Sequence, residues 1–239
     1  MPPRLVLRSG SLEHKYNNTT PQIYQCTTPI AFADDLLLII RGESVREAGN
    51  FANIEMSKVG FNEAKSKTTL ISRRERKEAK EIKIYLNNKT IKQVTTIKYL
   101  GTVIDDKFKF SQHISHAADK CAKLIFSLSK SAKIQWGLKH EALITISKGA
   151  ILPPLLYSAP VLIDALRYKY NRRKYVRVQR LMNILIAKAY RTMSSEALCI
   201  LAGTTPIIIK AEEAAKRYDV WKGHRANIHK IDREVGLNQ

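Results

Sequence analysis

Two adjacent aspartates, Asp34 and Asp35, stand immediately before five aliphatic residues, Leu36-Leu37-Leu38-Ile39-Ile40. Such a run is β-prone and long enough for a buried strand, and it breaks at Arg41-Gly42-Glu43-Ser44. Two like charges at the tip of a buried strand repel, and desolvation raises the cost. A divalent cation removes that cost, because hard Mg²⁺ is held by one or two carboxylates together with substrate phosphates. The bland alternative is a type I turn, where Asp-Asp between apolar runs is common. Either way the segment is a β-hairpin, with residues 28–33 outgoing and residues 36–40 returning.

The remaining periodicities set the fold class. Ser44 can cap a helix running to Val59, with Val45, Ala48, Ala52, Met56 and Val59 at helical spacing. Strands are predicted at residues 68–72, 82–86 and 90–94, the last two joined by an Asn87-Asn88 turn. A further β element spans residues 97–104 around Gly101. From Ser111 the period becomes helical, with Ile114, Ala117, Ala118, Cys121, Leu124, Ile125 and Leu128 on one face. More helices follow at residues 140–152, in a proline-punctuated stretch to Leu166, and at residues 172–190. Ser194 and Thr205-Pro206 mark two further helix starts. Strands first and helices afterwards make an α+β chain.

At 239 residues, 44% of them hydrophobic, the chain can bury a real core. Its 41 Lys+Arg against 21 Asp+Glu leave a formal charge of +20, which favours polyanionic partners. Basic ribosomal or membrane-surface proteins share that number. Cys26, Cys121 and Cys199 are far apart and form no Cys/His ligand spacing, so neither zinc nor a disulfide framework is indicated. His113 and His116 are three apart with no third ligand. The longest apolar stretch, residues 151–163, is broken by Pro153, Pro154 and Pro160. The expectation is a soluble intracellular protein with no membrane partner.

The turn Phe32-Ala33-Asp34-Asp35 resembles the catalytic hairpin of reverse transcriptases. Phe61-Asn62-Glu63-Ala64-Lys65-Ser66-Lys67-Thr68, leading into Thr69-Leu70-Ile71, continues the likeness, as does Ile97-Lys98-Tyr99-Leu100-Gly101-Thr102-Val103-Ile104-Asp105. Downstream stand Arg177-Val178-Gln179-Arg180, Ala189-Tyr190-Arg191-Thr192, Ser195-Glu196-Ala197-Leu198 and Leu201-Ala202-Gly203-Thr204-Thr205-Pro206. In order and spacing these segments, over residues 28–222, resemble the polymerase of non-LTR (LINE-like) retrotransposons and the region after it in insect-type elements.

The resemblance implies a partial polymerase palm, an antiparallel sheet with a packed helix, over residues 28–107. It implies a helical thumb and connection region over residues 108–222 and a polar tail over residues 223–239. Residues 1–27 are polar, aperiodic and expected to be poorly ordered, with loop at residues 16–21. The parent reaction is RNA-directed DNA synthesis, a Mg²⁺-dependent nucleotidyl transfer to a primer 3′-hydroxyl, with template RNA and DNA primer as partners. Another element-encoded protein is a further partner the family allows.

Carried over residue by residue, Asp34 is the principal metal ligand and Asp35 auxiliary. Phe32 and Ala33 lie by the primer end, and Lys67 lies near the departing pyrophosphate. Tyr99-Leu100-Gly101 matches the primer-grip hairpin, where a plain turn glycine is the competing view. Arg172, Arg173, Lys174, Arg177 and Arg180 cluster on neighbouring turns of one helix, with Tyr168, Tyr170 and Tyr175 interleaved. They suit phosphate contacts with stacking on bases.

The family's other catalytic aspartate comes from an upstream strand, and residues 1–33 hold one acid, Glu13. Adjacent aspartates point to opposite sides of an extended backbone, so they make no two-metal clamp alone. The expectation is a truncated, catalytically incompetent fragment with an open sheet edge where that strand is missing. A basic, non-catalytic nucleic-acid-binding helical protein and an inert product of a decayed element are the alternatives.

Overall fold

The computed structural model describes residues 4–10, 26–32, 35–58, 66–71, 82–86, 89–130 and 138–236. The chain divides into two compact units, residues 1–110 and 111–239. The expected α+β class is what the chain adopts: strands with one long helix first, helices after Ser111.

The first unit is built on the predicted hairpin. β2 (Thr27–Phe32) and β3 (Asp35–Arg41) are antiparallel, with Phe32 opposite Asp35 and Thr27 opposite Ile40. The other edge of β3 is taken by β1 (Arg4–Gly10), from Arg4 opposite Arg41 to Gly10 opposite Asp35. β1 also pairs with β4 (Lys67–Ile71), giving the order β2-β3-β1-β4-β7. Two expectations are corrected here. Residues 4–10 of the segment expected to be poorly ordered form a central strand, β1, and it fills the edge of β3 that a missing strand would leave open. The physical reason is short: Leu5, Val6 and Leu7 are all buried because both faces of the sheet are covered. The 16–21 loop lies outside the described residues.

Period two sorts β3 onto two cores. Leu36, Leu38 and Ile40 join Leu5, Leu7, Ile84 and Ile91, beneath Ala48 and Ala52 of α1 (Val45–Lys58). That helix opens as its sequence predicts. Ser44 Oγ accepts from the Glu47 amide at 3.1 Å while the Glu47 carboxylate accepts from the Glu43 amide at 2.7 Å. Gly42 tolerates no side chain, since a Cβ there would lie 2.7 Å from the Ala48 nitrogen.

On the opposite face, Leu37 and Ile39 pack with Val6, Ile71, Ile97 and Tyr99. The predicted 82–86/90–94 hairpin is shorter than expected. Only β5 (Tyr85–Leu86) and β6 (Lys89–Thr90) pair, with the Asn87-Asn88 turn outside the described residues. β7 (Lys92–Gln93) runs parallel to β4. β8 (Thr96–Tyr99) and β9 (Thr102–Asp105) form the last hairpin. The Asp105 carboxylate closes the unit by accepting from the amides of Lys107 and Lys109 at 3.1 and 2.8 Å.

The second unit is helical. α2 (Ser111–Ser129) buries His113, Ile114, Ala117, Ala118, Cys121 and Ile125, while Leu124 is exposed. The helix predicted over residues 140–152 is interrupted. α3 (His140–Ile146) passes through a π-helical turn, Ser147–Ile151, into α4 (Leu152–Leu156). α5 (Ala159–Leu162) and a 3₁₀ turn, Ala165–Arg167, lead to α6 (Lys169–Ala187). α6 buries Asn171, Tyr175, Val178, Met182 and Ile186 at helical spacing and packs on α2. α7 (Ser195–Leu201) is capped as predicted, the Ser194 hydroxyl accepting from the Ala197 amide at 3.2 Å.

α8 (Ile207–Gly236) begins after Pro206 and extends through most of the stretch read as a polar tail. Gln179 ties α6 to its start, accepting from the Ile207 amide at 2.8 Å and donating to the Thr205 carbonyl at 2.7 Å. Among the described residues, no helix is long and apolar enough to cross a membrane.

Candidate functional site

Two candidate sites lie in separate units. The first is the end of the β2–β3 hairpin. Ala33 and Asp34 fall outside the described residues, so the turn is known by its flanks, Phe32 and Asp35. Asp35 shares a face with Leu37 and Ile39, the face covered by the β8–β9 hairpin. Phe32, its cross-strand partner, stands on that same face and is 63% exposed, so it is not a core residue.

Lys67 is an exposed residue at the first position of β4. Its register partners are Arg8 in β1 and Lys92 in β7. Register partners lie on one face, and Arg8 is opposite Leu37. The positions of Lys67 and Asp35 therefore belong to the same face, on strands separated by β1. Basic residues thus take three register-linked positions, Arg8, Lys67 and Lys92, on β1, β4 and β7.

The third sequence-identified element, Tyr99-Leu100-Gly101, is the tip of the β8–β9 hairpin. Tyr99 Oη donates to the Ile30 carbonyl at 3.4 Å, which fastens this hairpin to β2 near the turn. Leu100 and Gly101 have φ of 44° and 80°. Positive φ at both central residues is the I′ geometry of a two-residue hairpin, so the turn alone requires Gly101. Leu100 is the unusual residue, since left-handed backbone is costly for a bulky side chain.

The second site is α6, and the structure splits the basic cluster. Arg172, Arg173 and Arg177 are exposed. Arg180 is half-buried, and its guanidinium donates to the Arg191 carbonyl and to Ser195 Oγ, clamping the segment leading into α7. Lys174 donates to Ser115 Oγ on α2 at 2.6 Å. Tyr175 is fully buried, and burial together with the nearby Cys121 raises its phenol above the ordinary range. Tyr168 and Tyr170 are outside the core, their rings stacked with centroids 5.7 Å apart.

From residue 165 to residue 195 the chain carries nine Lys and Arg and no acid. Asp164, just before it, pairs with Arg167 at 3.5 Å. Among the described residues, no group of three or more His, Cys, Asp or Glu could hold a metal ion. His113 is buried, and desolvation with the neighbouring His116 lowers its pKa.

The chain is similar to Pol polyproteins of type-1 retrotransposable elements. It is 32% identical over 224 residues to that of element R1 4 of Nasonia vitripennis, covering 82% of this chain and 56% of the relative. It is 28% identical over 224 residues to that of R1 2 of the same species, with coverages of 87% and 51%. A third, R1 of Nasonia vitripennis, is 25% identical over 189 residues, with coverages of 74% and 56%. The chain thus spans about half the length of these relatives. No protein-family model matches it, and no solved structure matches its fold.

Proposed function

We propose, for this retrotransposon-derived chain with R1 non-LTR Pol polyproteins as its homologues, that it is a reverse-transcriptase fragment. In this reading it binds primer–template nucleic acid and does not polymerise by itself. The observation that carries the proposal is the acid-free, basic α6, with Arg172, Arg173 and Arg177 exposed together. Cations on adjacent helical turns with no carboxylate among them suit a row of phosphates, whose neutralisation releases counterions.

The parent reaction, transfer of a nucleotide to a primer 3′-hydroxyl, needs carboxylates that clamp two metal ions. The described residues do not fit such a clamp. Asp35 is the one acid in β1, β2 and β3, and its partner across β1 is Gly10. The next positions on that face are Arg8 in β1 and the apolar Leu37 in β3. Among the described residues this sheet holds no second carboxylate beside Asp35, so no metal-dependent step is assigned to this chain.

A primer-extension assay tests the first half: RNA template, annealed DNA primer, Mg²⁺, wild type beside Asp35→Ala. No extension by either protein is expected. Extension by the wild type that Asp35→Ala abolishes would overturn the reading. The second half is tested by titrating an RNA–DNA hybrid at several salt concentrations. Log affinity should fall linearly with log salt at a slope of about 0.9 per phosphate neutralised. A wild type that binds no hybrid at low salt removes the proposal.

A further inference from the structure

The exposed arc of α6 is more than a row of cations. Asn171, Tyr175, Val178, Met182 and Ile186 fill the buried arc. Tyr170, Arg173 and Arg177 occupy the opposite one, with Arg173 and Arg177 an i,i+4 pair and the exposed Arg172 on its flank. At the amino-terminal end of that arc, the Tyr168 and Tyr170 rings stack with an interplanar angle of 26°. Both rings lie outside the core, 50% and 44% exposed. The Tyr170 hydroxyl accepts from Ser111 Oγ at 3.3 Å, which restricts that ring before any ligand arrives.

Stacked, half-exposed aromatic rings beside unbalanced cations are the combination that holds unpaired bases. A duplex offers little to such a pair, because its bases already stack on one another and only an end presents a free face.

We propose that this face takes a single-stranded polynucleotide, with a base stacked on the Tyr168–Tyr170 pair and the neighbouring phosphates on Arg173 and Arg177. The proposal rests on the nucleic-acid-binding reading above and narrows it to the unpaired part of a primer–template. Stacking is indifferent to the sugar, so RNA and DNA strands are both candidates.

The test uses the full chain and labelled oligonucleotides of about a dozen nucleotides, within the range one site covers. Four probes are compared by fluorescence anisotropy: single-stranded RNA, single-stranded DNA, a blunt RNA–DNA hybrid and an abasic strand with the same phosphates. The single strands should bind about tenfold or more tighter than the abasic strand. The variant Tyr168→Leu/Tyr170→Leu should lose that margin with its salt slope unchanged and its hybrid affinity unchanged. Tyr168→Phe, which keeps the ring, should retain the margin. Arg173→Gln/Arg177→Gln should lower the single-strand salt slope by about 1.4, at about 0.7 for each phosphate no longer neutralised.

Equal binding of single and abasic strands by the wild type overturns this inference while leaving the broader reading intact. The abasic comparison needs no variant and stands even if the leucine variant fails to fold. Absence of binding to every probe by the wild type overturns both. Tighter binding of one sugar type identifies the strand, RNA or DNA, that the face takes.

Discussion

Gly10 and Asp35 are directly opposite one another at the end of the antiparallel pair β1–β3. The single acid of these three strands therefore faces a residue with no side chain.

Replacing Gly10 by Asp sets two carboxylates across one antiparallel pair, with Cβ atoms about 5 Å apart. In metal-free buffer the repulsion should lower the melting temperature of Gly10→Asp by about 2–4 °C. Millimolar Mg²⁺ should restore much of the loss in the variant and leave the wild type unmoved. Parallel melts with and without the cation check this, and identical responses would contradict the register.

Arg177 and Arg180 are three residues apart yet should behave oppositely. Arg180→Leu removes the donors to the Arg191 carbonyl and Ser195 Oγ. It should cost about 1–3 kcal/mol of stability, with little change in the salt dependence of binding. Arg177→Gln should leave the melt unchanged and lower the hybrid salt slope by about 0.9. Denaturant titration and binding isotherms separate the two.

Leu100 holds φ at 44° at the β8–β9 tip. Asn is tolerated in that backbone region far better than Leu. Leu100→Asn should therefore raise stability by about 1 kcal/mol, read as an upward shift in the denaturant midpoint at constant slope. A drop in the midpoint would mean that the leucine side chain holds the hairpin in place.

His113 has its pKa lowered by burial, with His116 adding to the effect. The folded state thus binds a proton less readily than the unfolded state, whose value is near 6.5. Stability from the neutral imidazole is complete above that pH and declines as pH falls through and below it. Melting temperatures from pH 8 to pH 5.5 should fall more steeply for the wild type than for His113→Gln. A slope shared by both proteins would place the pH dependence elsewhere.

Much of the first unit was legible because its signals are local. The aliphatic run of β3, the Ser44 and Glu47 helix start and the turn around Gly101 are each written within a few residues. The Ser194 cap in the second unit is of the same kind. β1 was not legible. Three apolar residues between Arg4 and Arg8 carry no periodicity, and only cover on both sides of the sheet makes them a strand. The π turn at Ser147–Ile151 likewise has no sequence signature here. The stacked tyrosines were within reach of sequence reasoning only as two of three interleaved candidates.

The sequence by itself determined the order of elements, the basic character of the helical half and the acidic turn ahead of a buried strand. These follow from side-chain period and charge, which are properties of neighbours along the chain. Tertiary structure alone decided that Gly10 meets Asp35, that Arg180 and Lys174 serve packing, and that Tyr175 is buried while Tyr168 and Tyr170 are not. Those outcomes depend on strand register and on which arc of a helix is covered. Both are set by contacts between residues far apart in the chain.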